Sequence, residues 1–387
     1  MLHRVCGILV AARCAGRVWA MAAFWEEGRE MGSKRKIVDC HQHLRSVDEA
    51  DRLVEIADAV GLERFGIVCT TSPESVNANP PALVCKARNP KRVYVLCGLD
   101  HSKHMSHGVK DAPALAEQVD RLIEMGVDGI KMIEGKPTTH RYLPVGLDEA
   151  YFEEYFARVE ERGFPILWHV NDPEEFWEPA LLPNWAAKHD WGYDETDVQK
   201  EDQYAQVARV LERHPDLVVI FAHFYFLSAD LPRAAALLGS FENVHLDLAP
   251  GIEMLYNMSK DVEGTREFFI RWADRIVFGT DISSDQTDAE AKARAGIVIR
   301  WLETAEEYRV PPEVDELLGD PEDGVIRGLS LPDEVLEKIY RANFERIAGA
   351  EPRDFNAKLA AEECRRLASV AKDPSEAEKA AEALESM

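Results

Sequence analysis

Basic residues are scarce in this chain: 45 lysines and arginines stand against 70 aspartates and glutamates, a formal net charge of −25. Such a surface repels phosphate backbones and anionic lipid, which argues against nucleic acid and membrane surfaces as partners. Long hydrophobic runs are missing as well; no stretch approaches the roughly 20 apolar residues needed to span a bilayer. The seven cysteines (Cys6, Cys14, Cys40, Cys69, Cys85, Cys97 and Cys364) contain no C-x-x-C pair. Their odd number and mostly apolar surroundings lead us to expect reduced, mostly buried thiols in a cytoplasmic protein. What is present is 387 residues, 46% hydrophobic and 30% charged. That is ample for a large core and longer than one average domain.

Residues 1–33 read differently from the rest. Arg4, Arg13 and Arg17 lie in an acid-free bed of Ala, Val, Leu and Trp up to position 25. The apolar run from Val5 to Ala12 is too soon broken by Arg13 to serve as a signal peptide. An Arg-rich, acid-poor segment suits a mitochondrial address. The preferred expectation is an extension from an upstream start, with Met31 just before the first organised segment. These residues are set aside for fold reasoning.

From there, short β-branched and apolar runs alternate with helical patterns. They begin at Ile37, Phe65, Arg92, Val127, Phe164, Leu217, Asn243 and Arg275. Near-continuous apolar strands between amphipathic helices predict a parallel sheet covered on its faces. The helices carry the 3.6-residue period at Leu53, Ile56, Val60, at Leu115, Val119, Leu122, and at Tyr204, Val207, Leu211. Eight such units predict an α/β fold, a closed (β/α)8 TIM barrel over residues 34–309. No G-x-G-x-x-G follows the first strand, so the main argument for dinucleotide binding is gone. After the fifth strand, residues 171–203 interrupt the rhythm with Phe176, Trp177, Trp185, Trp191 and Tyr193. That is too aromatic for disorder, and we expect a lid over the catalytic face. Residues 310–332, rich in Pro, Gly and acid, read as a linker. Residues 333–387 read as appended C-terminal helices.

Four of the twelve histidines end predicted strands: His41 and His43 the first, His169 the fifth, His223 the sixth. Asp281 ends the eighth, and Lys131 lies near the end of the fourth. In a barrel those ends form the active face. Positions i and i+2 on a strand share a side, so His41 and His43 can point together into the mouth. Imidazole nitrogen and carboxylate oxygen are the ligands of catalytic Zn²⁺, which leaves a position for water. Each residue alone is weak evidence. Together, on strands that converge only if the sheet closes, they predict a metal site. Asp39, on the first strand, can orient a ligand histidine or satisfy buried backbone groups, and we favour the latter. Arg45, Glu134, Arg141, Phe176 and Trp177 are candidates for substrate contact. Asp247, on the seventh strand, ranks low as a participant.

These segments resemble a known family. IVDCHQH (Ile37 to His43) is similar to the D-x-H-x-H opening of the amidohydrolase superfamily. PILWH (Pro165 to His169), VIFAH (Val219 to His223) and IVFGTD (Ile276 to Asp281) resemble its amidohydrolase-related branch, which includes aminocarboxymuconate-semialdehyde-decarboxylase-like enzymes. RANFERIA (Arg341 to Ala348) is similar to that branch's closing helix. By position, the resemblance implies a metal held by His41, His43, His169 and Asp281, with His223 and Asp281 catalytic. Lys131 is either a carboxylated bridge between two ions or an ammonium that supports the site or binds substrate. Zinc is the expected metal, with manganese or iron as alternatives.

The leading expectation is a metal-dependent hydrolase acting on an amide, lactone or related bond of a small molecule. Asp281 would move the proton of the activated water and His223 would stabilise the oxyanion. The alternative is metal-dependent non-oxidative decarboxylation of a carboxylated ring or enal. A second is a metal-binding barrel without catalysis. Family habit and spare aromatic surface suggest a homodimer.

Overall fold

Parallel strands arranged as a ring put the chemistry at one end of this molecule. The structure, a computed structural model, describes residues 35–104, 112–319 and 324–387; the expected N-terminal extension lies outside the described residues. The strands are β1 (Val38–His43), β2 (Arg64–Val68), β3 (Val93–Cys97), β4 (Gly129–Gly135), β5 (Ile166–Val170), β6 (Val219–Phe221), β7 (Val244–Asp247), β8 (Ile276–Val277) and β9 (Ile282–Ser283). They pair in the order β8-β7-β6-β5-β4-β3-β2-β1-β9, every pair parallel. β8 lies within the predicted eighth strand and β9 just past its predicted end at Asp281, one on β7 and the other on β1. The backbone between them also bonds to β1, Cys40 N–H to Phe278 O and Asp281 N–H to His41 O, both 2.9 Å. The ring therefore closes, as the eightfold alternation predicts.

The helices α1 (Ala50–Val60), α2 (Asn79–Arg88), α3 (Leu115–Met125), α4 (Ala150–Arg162), α5 (Lys200–Arg213), α6 (Leu231–Ser240), α7 (Val262–Arg271) and α8 (Asp288–Glu303) run between and after the strands. The periodic positions Leu53, Ile56, Leu115, Val119, Leu122, Tyr204, Val207 and Leu211 are all buried. Alternate strand residues sort into two layers, as a two-residue period requires. Phe65, Ile67, Val93, Val95, Ile166, Trp168, Val219 and Phe221 belong to the core shared with the helices. Val38, Cys40, Val68, Leu96, Leu167, Ile220 and Val277 form a separate cluster within the ring. Phe344 joins that inner cluster and packs edge-on against Tyr94, ring centroids 5.1 Å apart.

Phe344 comes from the C-terminal region. Helix Asp333–Glu337 passes through a π turn, Lys338–Ala342, into helix Asn343–Ala348. Asn343 donates from Nδ2 to the carbonyls of Ala273 and Ile276, each at 2.7 Å, which ties this helix to β8. Two more helices, α9 (Ala357–Val370) and α10 (Ser375–Glu385), pack on each other and on α2. The segment expected to be a linker is built into the barrel's flank instead. Glu307–Tyr308 pairs antiparallel with Ile326–Arg327, Val310, Val314 and Leu318 are buried, and Asp315 takes both Nε and Nη2 of Arg294.

Candidate metal centre

β1 reaches the mouth with an irregularity in its pairing to β2 between Asp39 and Gln42. Strict alternation would send Cys40 and His41 to opposite sides. Instead Cys40 joins the inner cluster while His41, 1% exposed, meets Asp247 and Lys131 inside the ring. Asp39 serves as the brace of this turn in the strand: its carboxylate accepts from the N–H of His41 and Thr280, from Gln42 Nε2 and from Thr280 Oγ1. Burial pushes its carboxyl up to about 7, against the pull of the Thr280 and other hydrogen bonds. Asp39 thus serves two backbone N–H groups and two side-chain donors.

His43 Nε2 lies 3.0 Å from Asp281 Oδ1, and His41 Nε2 lies 3.7 Å from the same oxygen. One ligand atom from each of His41, His43 and Asp281 falls within 4.8 Å of the other two. Asp281 occupies a left-handed conformation, φ 59°, in the break between β8 and β9. Residues held in such sparsely populated backbone states concentrate at functional sites. Burial opposes its ionisation, yet the hydrogen bond from His43, the largest of the opposing causes, holds its carboxyl well below the usual range.

Hydrogen bonds set which imidazole nitrogens face the mouth. Nδ1 of His41 lies 2.8 Å from Asp247 Oδ2, so this nitrogen donates and Nε2 presents its lone pair toward Asp281. Asp247 Oδ1 also accepts from the N–H groups of His223 and Ala249, at 2.7 and 3.1 Å. Asp247, which sequence reasoning ranked low, thus orients one candidate ligand by its ring and another histidine by its backbone. Its only signal in the sequence is position, at the end of a strand; its partners lie 206 and 24 residues away. Lys131 is 1% exposed, its Nζ 3.4 Å from His41 Nε2. Burial lowers its ammonium to about 8.

His223 follows β6 in a turn that no strand or ordinary helix would supply. His223, Phe224, Tyr225 and Phe226 all have positive φ, 51 to 56°. Left-handed backbone costs roughly 1–2 kcal/mol per non-glycine residue. Aromatic burial offsets that: Phe224 stacks on Phe269, Tyr225 on Phe221, and Phe226 lies against both His169 and His223. The result aims His223 into the mouth, its ring 5.2 Å from that of His41 and 4.9 Å from that of His169. Its Nδ1 is 2.9 Å from the Ala249 carbonyl, which can only accept, so Nε2 is the unprotonated nitrogen. Burial first, outweighing Asp281 and Asp247, keeps the ring neutral. His223 therefore stands as a proton acceptor; the expected oxyanion donor exists only after it has taken a proton.

His169 stands beside this cluster, outside the three residues whose ligand atoms already converge. Its Nε2 is 3.3 Å from Asp172 Oδ1. Gly135 lets β4 lie against it, because a Cβ there would come within 2.6 Å of the His169 carbonyl oxygen.

The mouth opens into a cavity of about 610 Å³ lined by His41, His43, Lys131, His169, His223 and Asp281. Residues 171–203 furnish its aromatic wall, Phe176, Trp185 and Trp191. Trp177 packs instead on Tyr193, centroids 4.6 Å apart, outside the residues that line the cavity. Arg45 lines the rim, 3.8 Å from Asp285. Two other expected substrate contacts turn elsewhere. Glu134, 2% exposed, bonds His101 Nε2 at 2.8 Å, behind the cavity wall. Arg141 spends its guanidinium on Asp197, Asp190 and the Gly192 carbonyl, which pins the aromatic segment in place. Asp172, which was not singled out from sequence, lines the cavity together with Lys136.

A family model described as amidohydrolase matches residues 38–349. No curated protein matches the chain. Among solved structures, one of an amidohydrolase II is 13% identical, covers 81% of this chain and 99% of its own, and superposes with a TM-score of 0.50. The 2,6-dihydroxybenzoate decarboxylase from Rhizobium is 14% identical over 81% of this chain and 98% of its own, TM-score 0.45. A putative 2-pyrone-4,6-dicarboxylic acid hydrolase from Pseudomonas putida is 12% identical over 82% and 98%, TM-score 0.49. At such identities the likeness concerns the fold. The match across most of the chain shows the family: this protein is a member of the amidohydrolases, TIM-barrel enzymes that are generally metal-dependent.

Proposed function

We propose that this chain is a metal-dependent hydrolase that cleaves an amide, lactone or related bond of a small, ring-containing molecule. The donor set fits a divalent cation. Two imidazoles and an ionised carboxylate converge, and His41 has its outer nitrogen anchored on Asp247. His41, His43 and Asp281 would hold the cation, with His169 as the fourth ligand. Zinc suits this set best, while Mn²⁺ and Fe²⁺ accept the same donors. When bound, such a cation lowers the pKa of its water from 15.7 toward about 7 and polarises a carbonyl oxygen.

The protein's own groups supply the rest. Asp281 is ionised and His223 Nε2 carries a free lone pair, so both can take a proton. Once protonated, His223 becomes the donor to a developing oxyanion or leaving group. Phe176, Trp185 and Trp191 exclude water and offer faces to a ring. Lys131 supports His41 as an ammonium; a carboxylated, bridging Lys131 belongs to a two-cation version in which His223 also becomes a ligand.

Charge pairing around the cavity is the observation that carries hydrolysis over decarboxylation. Lys136 and Arg294 already face Asp172 and Asp315, and Lys131 faces His41. Anchoring a carboxylated ring calls for an unpaired cation, whereas a neutral ring needs only the aromatic wall. Arg45 favours the rival: its side chain is 59% exposed and loosely paired, free to turn to a substrate carboxylate. Zn²⁺-loaded protein should be assayed on amides, lactones and carboxylated aromatics, following released acid or amine and released CO₂. The expected result is hydrolysis that falls roughly 10²–10⁴-fold in His223→Ala with metal retained. Release of CO₂, abolished by Arg45→Ala, would establish the decarboxylase, and bound metal with no turnover on any substrate would favour a binding protein.

A further inference from the structure

One carboxylate at the seam between β5 and the aromatic segment joins three parts of the molecule. Asp172, 2% exposed, accepts from Lys136 Nζ at 2.6 and 2.5 Å and from the Tyr193 hydroxyl at 2.5 Å, and it faces His169 Nε2 at 3.3 Å. Lys136 in turn lies 4.2 Å over the ring of Trp191. The segment's aromatic cluster, Phe176, Tyr193, Trp177, Trp185 and Trp191, is thereby fastened to the carboxylate that touches His169. Tyr193 lies 21 residues beyond Asp172, so its bond exists only when the intervening chain folds back over the mouth.

We propose that Asp172 is a positioning residue for the cation site, and that closure of the aromatic segment completes it. Asp172 holds the ring of His169 through Nε2, leaving Nδ1 as the nitrogen with a lone pair to give. Tyr193 and Lys136 fix Asp172 in turn, so an open segment would leave His169 free to rotate. By reciprocity, a cation that binds better when the segment is closed must also favour closure. The inference rests on His169 being a ligand, as proposed above.

Zn²⁺ alone is the probe. Its affinity is measured by competition with a chromophoric chelator, and closure by acrylamide quenching of tryptophan fluorescence before and after loading. In wild type, Zn²⁺ should reduce quenching. Asp172→Asn should weaken Zn²⁺ binding by roughly 10–100-fold, the usual effect of removing a residue that supports a ligand histidine. Tyr193→Phe, which deletes one hydroxyl, should weaken it less and lose the zinc-dependent change in quenching; it decides the question if Asp172→Asn fails to fold. Wild-type affinity and quenching response in both variants would overturn the proposal. If wild type takes up no Zn²⁺, or His169→Ala binds it undiminished, the ligand assignment itself has failed.

Discussion

Asp247 does more for the site than its sequence context suggests. It contributes no lone pair to the cluster, but it fixes the tautomer of His41 and holds the backbone of His223. Asp247→Asn should lower divalent-cation affinity by roughly 10–100-fold with little loss of fold, because an amide can present N–H to Nδ1 and reverse the tautomer. Chelator competition measures it, and unchanged affinity would show that His41 needs no such support. A neighbour on the same strand carries a pH signature. His245, 2% exposed, is pushed down to about 3 by burial and, secondarily, by Arg275 and Arg346. The unfolded chain, with an ordinary value of 6.5, binds the extra proton between pH 6.5 and 3. Stability therefore rises with pH across that window and is lost as pH falls through it, with a limiting slope of about 1.4 kcal/mol for each step of one in pH. His245→Gln should flatten the dependence of urea-unfolding free energy on pH between 6.5 and 4. A slope equal to wild type would contradict the neutral burial of this ring.

At the scale of elements, the strands, their order and their closure were legible because hydrophobic period is a local property. Every predicted strand start falls within two residues of an observed strand. What the period could not show was the irregularity in β1, the break between β8 and β9, and the left-handed turn after β6. Each places a site residue, His41, Asp281 or His223, and each is held by contacts distant in sequence. Glu134 lies near the end of the fourth strand and Arg141 after it, yet their partners, His101 and Asp197, draw them from the cavity. For Arg141 this has a consequence in the aromatic segment. Arg141→Ala removes contacts to Asp190, Gly192 and Asp197 and should speed proteolytic cleavage within 174–199 several-fold, while the melting temperature of the barrel barely moves. Cleavage at the wild-type rate would mean that the aromatic cluster alone secures the segment.

For the whole molecule, a ring of parallel strands brings together residues from positions 41 to 281, and the C-terminal helix seals the inner cluster with Phe344. The chain is acidic, net −25, and its mouth is lined by Lys131, Lys136, Arg45 and Arg294 together with Asp172, Asp281 and Asp285. Among the described residues no helix is long and apolar enough to cross a membrane. A homodimer remains our expectation for the assembly, testable by light scattering. The central claim is that closure gathers His41, His43 and Asp281, with His169, about a single cation. Anomalous diffraction at the zinc edge from crystals grown with Zn²⁺ tests it most directly. The account predicts one strong peak at the mouth, about 2.0–2.2 Å from the imidazole nitrogens and the carboxylate oxygen. A peak elsewhere, or none with these four side chains well ordered, would contradict it.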